Sequence, residues 1–336
     1  MPHLRRRTGL RSFHKLRLLG LALLLAAVPL LAASGCDSAE PDAVTLQLNW
    51  LPEPQFGGFY TAELDGDYEA QGLNVTVREG SVGVVTQQML AAGSVPFAIV
   101  SGDQLVRARA EGQDLVALFA VYQTNPQGIL THAGRGFETL ADVFAAPGTL
   151  AIEEGLPYAE FLRQTYGFGS LRIVQSTGGS VQQFLADPTF SQQCFVTSEP
   201  IKARDAGAAV KTFLVAEAGF NPYTTVLATN GQFLKDNPDI CRQMTAAVRA
   251  GWERYLADPT PTNRRLLELN PSFDAATMAA SAERQVPLIR PAAGTASDSA
   301  PVGTMTEQRW QQLIDQMNTL GLLDKPVVAA DCFRNL

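Results

Sequence analysis

Histidine, cysteine and lysine are all scarce in this 336-residue chain, and where they fall removes several chemistries. Of the three histidines only His132 lies beyond residue 35, and no lysine occurs between Cys36 and Lys202. A Schiff-base lysine in the first half of the chain is therefore excluded. The four cysteines, Cys36, Cys194, Cys241 and Cys332, are far apart, and none has a second Cys or a His at metal-ligand spacing. No HExxH, CxxC or Gly-x-Ser-x-Gly motif is present. His132, in Thr131-His132-Ala133, reads as a surface residue of the second half rather than a base. No cofactor and no metal site is expected. After residue 35 there is also no apolar run long enough to span a membrane.

The first 36 residues carry what the rest lacks. Arg5, Arg6, Arg7, Arg11, Lys15 and Arg17 precede an apolar stretch from Leu18 to Leu31, followed by Ala33-Ser34-Gly35-Cys36. A basic segment, a short apolar segment and small residues form an export signal. The small residues directly before Cys36 resemble the lipobox of bacterial lipoproteins, which implies that Cys36 is acylated and becomes the new N-terminus. Residues 1–35 hold six of the 26 Lys and Arg and none of the 33 Asp and Glu. Their removal leaves 301 residues with 20 basic and 33 acidic side chains, a net charge of −13. Such a surface disfavours nucleic acid and anionic lipid as partners, so membrane contact is expected through the lipid alone. The chain is placed on the extracytoplasmic face of a bacterial membrane, as a monomer. In that oxidising compartment Cys194, Cys241 and Cys332 cannot all pair. If one bridge forms, Cys241 with Cys332 is favoured, both lying in the C-terminal part; three buried thiols is the equal alternative.

Residues 37–43 read as a polar tether, and folding is expected from Val44. Strands are expected at 44–48, 75–77, 97–100 and 115–121, alternating with helices at 58–70, 83–92 and 102–111. A second set places strands at 149–152, 171–174, 194–197 and 210–215, and helices at 157–166, 179–186 and 199–206. This rhythm points to two α/β lobes, each with a mostly parallel sheet. After 224–229 the pattern turns helical, over 238–257, 260–269, 273–285 and 306–320, interrupted by a Gly/Ala/Ser/Pro-rich loop at 291–303. Chain crossings between lobes are expected near 122–128 and 220–224.

One pattern is more specific: a strand ending in Trp50, a proline-containing loop, the pair Phe59-Tyr60 opening a helix, then Gly66-x-Tyr68-x-x-x-Gly72-Leu73-x-Val75. Together with Ser198-Glu199-Pro200, GFNPYTTVLATN at 219–230 and RWQQLIDQMNTLGLLDKP at 309–326, it resembles the substrate-binding proteins of ABC importers. The resemblance spans residues 44–325. It is nearest to the branch containing pyrimidine-precursor, nitrate and sulfonate binding proteins and the fungal thiamine-pyrimidine synthase. It implies an α/β, two-lobed periplasmic binding protein type II fold with a ligand cleft between the lobes and a helical C-terminal region. Lobe 1 would comprise 44–124 and 225–336, and lobe 2 125–224. It also implies a permease partner with a separate ATPase.

In such a fold strand ends and helix N-termini face the cleft. Trp50, Phe56 and Tyr60 are expected to stack a flat ring, with Gly57 and Gly58 allowing close approach. Ser81, in the glycine-rich loop Glu79–Gly83, and Asp103 follow the second and third strands, although Asp103 is equally suited to cap its helix. Tyr122, Asn221 and Tyr223 sit at the crossings, where closing lobes would clamp a ring. Glu154, one of the pair Glu153-Glu154 of which only one should face the cleft, joins Tyr158 in the second lobe. Glu199 ends a strand; in pyrimidine-precursor binders a glutamate in this motif receives ring or amino N–H groups, and the alternative is a carboxylate favoured by its helix dipole.

The fungal synthase is implied to need a histidine, a lysine and a cysteine-rich motif. This chain has Pro54-Gln55-Phe56-Gly57-Gly58 in the histidine region and lacks the others, so a binding protein is expected rather than an enzyme. Nitrate or sulfonate would call for Arg, Lys or His at the strand ends. Aromatic rings and carboxylates instead suit a hydroxymethyl- or formylamino-pyrimidine precursor of thiamine, with riboflavin or a related flavin precursor as the alternative.

Overall fold

The computed structural model describes residues 42–176, 178–290 and 300–336. The leader, the lipobox Cys36, most of the tether and most of the 291–303 loop lie outside the described residues.

The first sheet takes β1 (Asp42–Gln47), β2 (Leu73–Arg78), β3 (Phe97–Val100) and β4 (Leu115–Tyr122). The helices among them are α1 (Gly57–Leu64), α2 (Asp67–Ala70), α3 (Thr86–Ala91) and α4 (Gly102–Ala110). The chain then crosses into a second sheet through β5 (Gln127–His132). That sheet continues with α5 (Leu140–Ala145), β6 (Gly148–Ala151), α6 (Pro157–Tyr166), β7 (Leu171–Val174), α7 (Gln182–Ala186), β8 (Phe190–Phe195), α8 (Glu199–Asp205) and β9 (Val210–Leu214). It returns through β10 (Thr224–Asn230) and ends in α9 (Gly231–Asp236), α10 (Pro238–Ala257), α11 (Thr260–Leu269), α12 (Ala275–Ile289) and α13 (Glu307–Thr319).

The strand orders are β2-β1-β3-β10-β4 and β7-β6-β8-β5-β9. Both sheets are mixed, which corrects the expectation of mostly parallel pairing. β10 runs antiparallel to β3 and β4, and β5 antiparallel to β8 and β9. The cause is the two crossings: parallel neighbours need a crossover back to the same end of a sheet, whereas β5 and β10 each enter from the other sheet. Two more corrections follow. The strand expected at 194–197 spans Phe190–Phe195, because its polar Gln192-Gln193 hid the alternation and Ser198 N–H turns back to Phe195 O at 2.9 Å. Strand β5 and helices α5 and α9 had no counterpart in the sequence reading.

β4 is buried at every position although it ends the sheet, and a bare apolar edge would invite pairing with another chain. The C-terminus covers it. Ala117 N–H donates to Cys332 O and Arg334 N–H to Ala117 O, both at 2.8 Å, and Ala120 N–H reaches Gly303 O at 3.0 Å. Cys194, Cys241 and Cys332 are buried free thiols, so the alternative of three thiols holds and the 241–332 bridge does not form here.

α10 packs on α1 through glycines. A Cβ on Gly58 would come within 2.2 Å of the Trp252 ring, one on Gly57 within 2.2 Å of Tyr255, and one on Gly251 within 2.2 Å of Gly58 O. Gly57 and Gly58 thus admit α10 rather than a ligand. Gly58→Val is expected to cost about 1–3 kcal/mol through overpacking, read as a lowered thermal midpoint; an unchanged midpoint would contradict this packing.

Candidate functional site

A cavity of about 310 Å³ lies where the two sheets face each other. The segments that follow parallel strands supply its wall: Asn49 and Trp50 after β1, Ser101 after β3, Glu153 after β6, and Gln175 and Ser176 after β7. The crossings add Asn125, Gln127 and Thr224.

Trp50 is half-buried on the first-sheet side. Its backbone is held by Gly80, whose N–H donates to Trp50 O at 3.0 Å and whose Cβ, if it had one, would sit 2.3 Å from Trp50 N. The loop that follows is fixed from behind: Asn270 Nδ2 donates to Pro52 O at 2.9 Å and Gln285 Nε2 to Pro54 O at 3.0 Å. Between those pinned carbonyls Glu53 is 8 % exposed and faces the cavity. Burial drives its carboxyl from 4.5 up to about 7, opposed by the charge of Lys202 and reinforced by that of Glu199. The Trp50 indole and the Gln55 amide, the latter 3.4 Å from Glu53 Oε2, give it only modest hydrogen-bonding support.

Across the cavity Glu199 opens α8. Phe195 N–H donates to its Oε2 at 2.8 Å, yet burial keeps its pKa raised. Gly179 lies against it, a Cβ there falling 3.1 Å from Glu199 Oε1, and one on Gly178 would be 3.5 Å from the Trp50 ring. With φ of +65° and +86° these two positions accept glycine best. Asp103, buried, receives the Ser101 hydroxyl, and burial raises its pKa; Ser101 with Gln104 forms the capping box of α4. Tyr158 donates to Gln193 Oε1 at 2.5 Å, the same oxygen that takes Glu153 N–H at 2.6 Å. Ser198 Oγ, on the wall, is buried and has no partner among the described residues.

Of the residues expected here, Trp50, Asp103, Tyr158 and Glu199 line the cavity. The others do not. Phe56 and Tyr60 are buried in the core beneath α1, since the turn after Gln55 carries them away from the cleft. Tyr122 is buried and donates to Gln285 Oε1 at 2.7 Å, so it braces the Pro54 carbonyl rather than meeting a ligand. Tyr223 packs on Trp310, and its hydroxyl accepts Thr306 N–H at 3.0 Å. Asn221 clips the crossings together, its Oδ1 accepting Asn125 N–H at 2.8 Å. Ser81 is exposed while its neighbours Val82 and Gly83 line the wall; α3 starts only at Thr86, later than expected, and the loop stands off. Glu153, not Glu154, faces the cavity, because Gln193 holds the Glu153 backbone. His132 stacks on Phe184 at 3.9 Å, and its Nε2 lies 2.8 Å from Phe184 O.

Sequence reasoning missed Glu53, Asn125, Gln127, Gln193 and Ser198. Glu53 alone carried a signal, a carboxylate between two prolines directly after the ring-bearing strand.

The wall contains four carboxylates, Glu53, Asp103, Glu153 and Glu199, with Trp50, Tyr158 and Phe195 as its rings, and no Lys, Arg or His among its described residues. Among the described residues no group of three or more His, Cys, Asp or Glu is placed to hold a metal ion, and no helix is long and apolar enough to cross a membrane.

Comparison with known proteins gives a consistent picture. The sequence profile of the family described as NMT1/THI5 like matches residues 53–262. The chain is 23% identical to a riboflavin-binding protein, RibY, of Chloroflexus aurantiacus, over 90% of this chain and 88% of that one. It is 21% identical to a formylaminopyrimidine-binding protein of Halalkalibacterium halodurans, over 97% and 99%. A 4-amino-5-hydroxymethyl-2-methylpyrimidine phosphate synthase of Saccharomyces cerevisiae is 22% identical over 69% and 73%. Among solved structures, the alkanesulfonate-binding protein SsuA of Xanthomonas axonopodis superposes with a TM-score of 0.65 at 13% identity, covering 89% of this chain and all of that one. The fold is therefore that of the periplasmic binding proteins.

Glu53 makes the site sensitive to pH in a defined direction. Its folded pKa lies above the ordinary value, so the stability it contributes is present below about pH 4.5 and is lost as pH rises to about 7. Measured against Glu53→Gln, the wild type is expected to lose about 3 kcal/mol of stability over that interval. Denaturant unfolding at several pH values checks this, and a difference that stays constant with pH would refute it.

Proposed function

The chain belongs to the NMT1/THI5-like family, and on that premise we propose that it is the substrate-binding component of an ABC importer. It is held by acylated Cys36 on the extracytoplasmic face of the membrane and captures a thiamine pyrimidine precursor of the hydroxymethyl- or formylamino-pyrimidine type. One observation carries the reading: a wall built of rings and carboxylates with no basic side chain among its described residues. A nitrate or sulfonate would lose its hydration shell there with no cation in return. A flat heterocycle with amino or ring N–H groups gains stacking on Trp50 and acceptors in the carboxylates.

Cavity size supports the pyrimidine. Ligand pockets run from roughly 300 to 1,000 Å³, and about 310 Å³ is at the small end. The likeness to a riboflavin-binding relative favours a flavin as the second reading, which would require the lobes to open further around a three-ring system. The synthase relative does not bring catalysis with it. The resemblance implies a histidine in the region where this chain reads Pro54-Gln55-Phe56-Gly57-Gly58, and no lysine lies between Cys36 and Lys202.

Capture proceeds by closure. The crossings join the lobes at Asn125 and Asn221, and rotation about them brings Trp50 on one side toward Glu199 and Tyr158 on the other. The closed surface is then what the permease recognises, with a separate ATPase driving transport.

The test is mass spectrometry of small molecules released on denaturing the purified protein, together with calorimetric titration. A bound pyrimidine, or micromolar or tighter affinity for 4-amino-5-hydroxymethyl-2-methylpyrimidine, supports the reading; release of a flavin replaces it with the second. Trp50→Ala is expected to weaken binding more than tenfold, and an unchanged affinity would remove Trp50 from the site.

A further inference from the structure

The four carboxylates share a wall that holds no cation, no Lys, Arg or His, among its described residues. Lys202, whose charge reaches both Glu53 and Glu199, sits one turn behind Glu199 with its ammonium 4.2 Å over the Phe273 ring. Lys202 therefore acts on the pair from behind and is not itself on the wall. The other titratable groups on the wall are Asp103 on α4, Glu153 after β6, Tyr158 on α6 and the Cys194 thiol on β8, with Tyr122 on β4 within electrostatic reach of Glu53; none of them is a cation. Glu53 is buried and Glu199 half-buried, and carboxyl groups so withdrawn from water without a cation either hold protons or await a positive charge.

A second observation points the same way. Ser198, 4 % exposed, lines the cavity beside Glu199 with no hydrogen-bond partner for its hydroxyl among the described residues, and buried polar groups of folded proteins are rarely left so. Glu53 is similarly under-supported. A carboxylate offers about four acceptor sites, and one oxygen of Glu53 has only the Gln55 amide at 3.4 Å. Trp50 and Phe195 add ring faces able to receive a cation.

We propose, resting on the reading of this cavity as a ligand site, that Glu53 and Glu199 form a carboxylate clamp that takes the ligand as a cation. The substrate class is then a basic heterocycle with an amidine-type edge, a protonated ring nitrogen beside an exocyclic amine. With both carboxyls ionised, a neutral lactam edge such as that of a flavin is rejected. An amidinium edge presents two parallel N–H donors, the geometry a carboxylate receives best. A lactam presents one donor and one acceptor, and once both carboxyls are ionised its carbonyl oxygen would face a carboxylate with no proton between them. Glu53 is thus the specificity residue that separates two ligands of similar flatness. Asn270 and Gln285 hold it in place through the carbonyls on either side.

The clamp is tested with a probe pair independent of the natural ligand. Benzamidinium and benzamide share a ring and a shape and differ in charge. Both are titrated calorimetrically into the full-length wild type, Glu53→Gln and Glu199→Gln between pH 5.5 and 8.0, with thermal midpoints confirming that each variant folds. The expected result is at least a tenfold preference for benzamidinium at pH 7.5, with affinity strengthening as pH rises through about 7 and Glu53 gives up its proton. Each glutamine variant should lose at least tenfold for benzamidinium and less than threefold for benzamide. Equal binding of the two probes, binding of neither, or full retention by both variants overturns the clamp. Titrating 4-amino-5-hydroxymethyl-2-methylpyrimidine in parallel separates the two readings. If it binds while benzamidinium is ignored, the clamp fails and the pyrimidine reading stands. If benzamidinium binds through Glu53 and Glu199 while the pyrimidine does not, the clamp stands and the pyrimidine reading fails.

Discussion

A carboxyl group buried at the seam between two sheets is the constraint from which the rest of the structure follows. Glu53 cannot be held there by its own contacts, which amount to an indole and a long amide contact. The surrounding fold holds it instead, by fixing the peptides on both sides. Asn270 takes the Pro52 carbonyl, Gln285 takes that of Pro54, and Tyr122 fixes Gln285 in turn. The helical C-terminal region is thus more than a cover for the first sheet. It reaches back some 200 residues in sequence to position one loop, and the prolines at 52 and 54 leave that loop little freedom of its own.

The two crossings divide the remaining labour. Because β5 and β10 each enter from the opposite sheet, the parallel strands of both lobes end at a shared cleft, and the loops after them form one wall. Arg309 ties the crossings to α13, donating to Gln123 Oε1 and to Asn221 O at 3.1 Å each while its guanidinium lies 3.9 Å over the Tyr223 ring. Thr225, just after the second crossing, has a φ of +51°, a conformation a β-branched residue adopts only at a cost. A pivot braced on one side and strained on the other is consistent with lobes that move as units.

Much of this was legible in the chain. Strand ends and helix starts of an α/β lobe face the cleft for topological reasons, so Trp50, Asp103, Tyr158 and Glu199 could be placed from the strand-helix rhythm alone. What failed were judgements about side-chain direction. Tyr60, Tyr122 and Tyr223 look like ring clamps, yet their apolar bodies gain more from the core, and Tyr122 and Tyr223 still satisfy a hydroxyl on Gln285 and on Thr306 N–H. The choice between Glu153 and Glu154 turned on a hydrogen bond from Glu153 N–H to Gln193 Oε1, forty residues away. Glu53 escaped notice because a carboxylate in a proline loop ordinarily faces water; only the packing of α11 and α12 against the loop buries it.

The buried carboxyl itself is the central claim, and infrared difference spectroscopy of the wild type minus Glu53→Gln addresses it directly. At pH 6, without ligand, a protonated carboxyl C=O band that is present in the wild type, absent from the variant and titrating near pH 7 is the predicted result. A difference spectrum with only an ionised carboxylate at pH 6 would contradict the account, since Glu53 would then be hydrated or paired with a cation that the described residues of the cavity wall do not include.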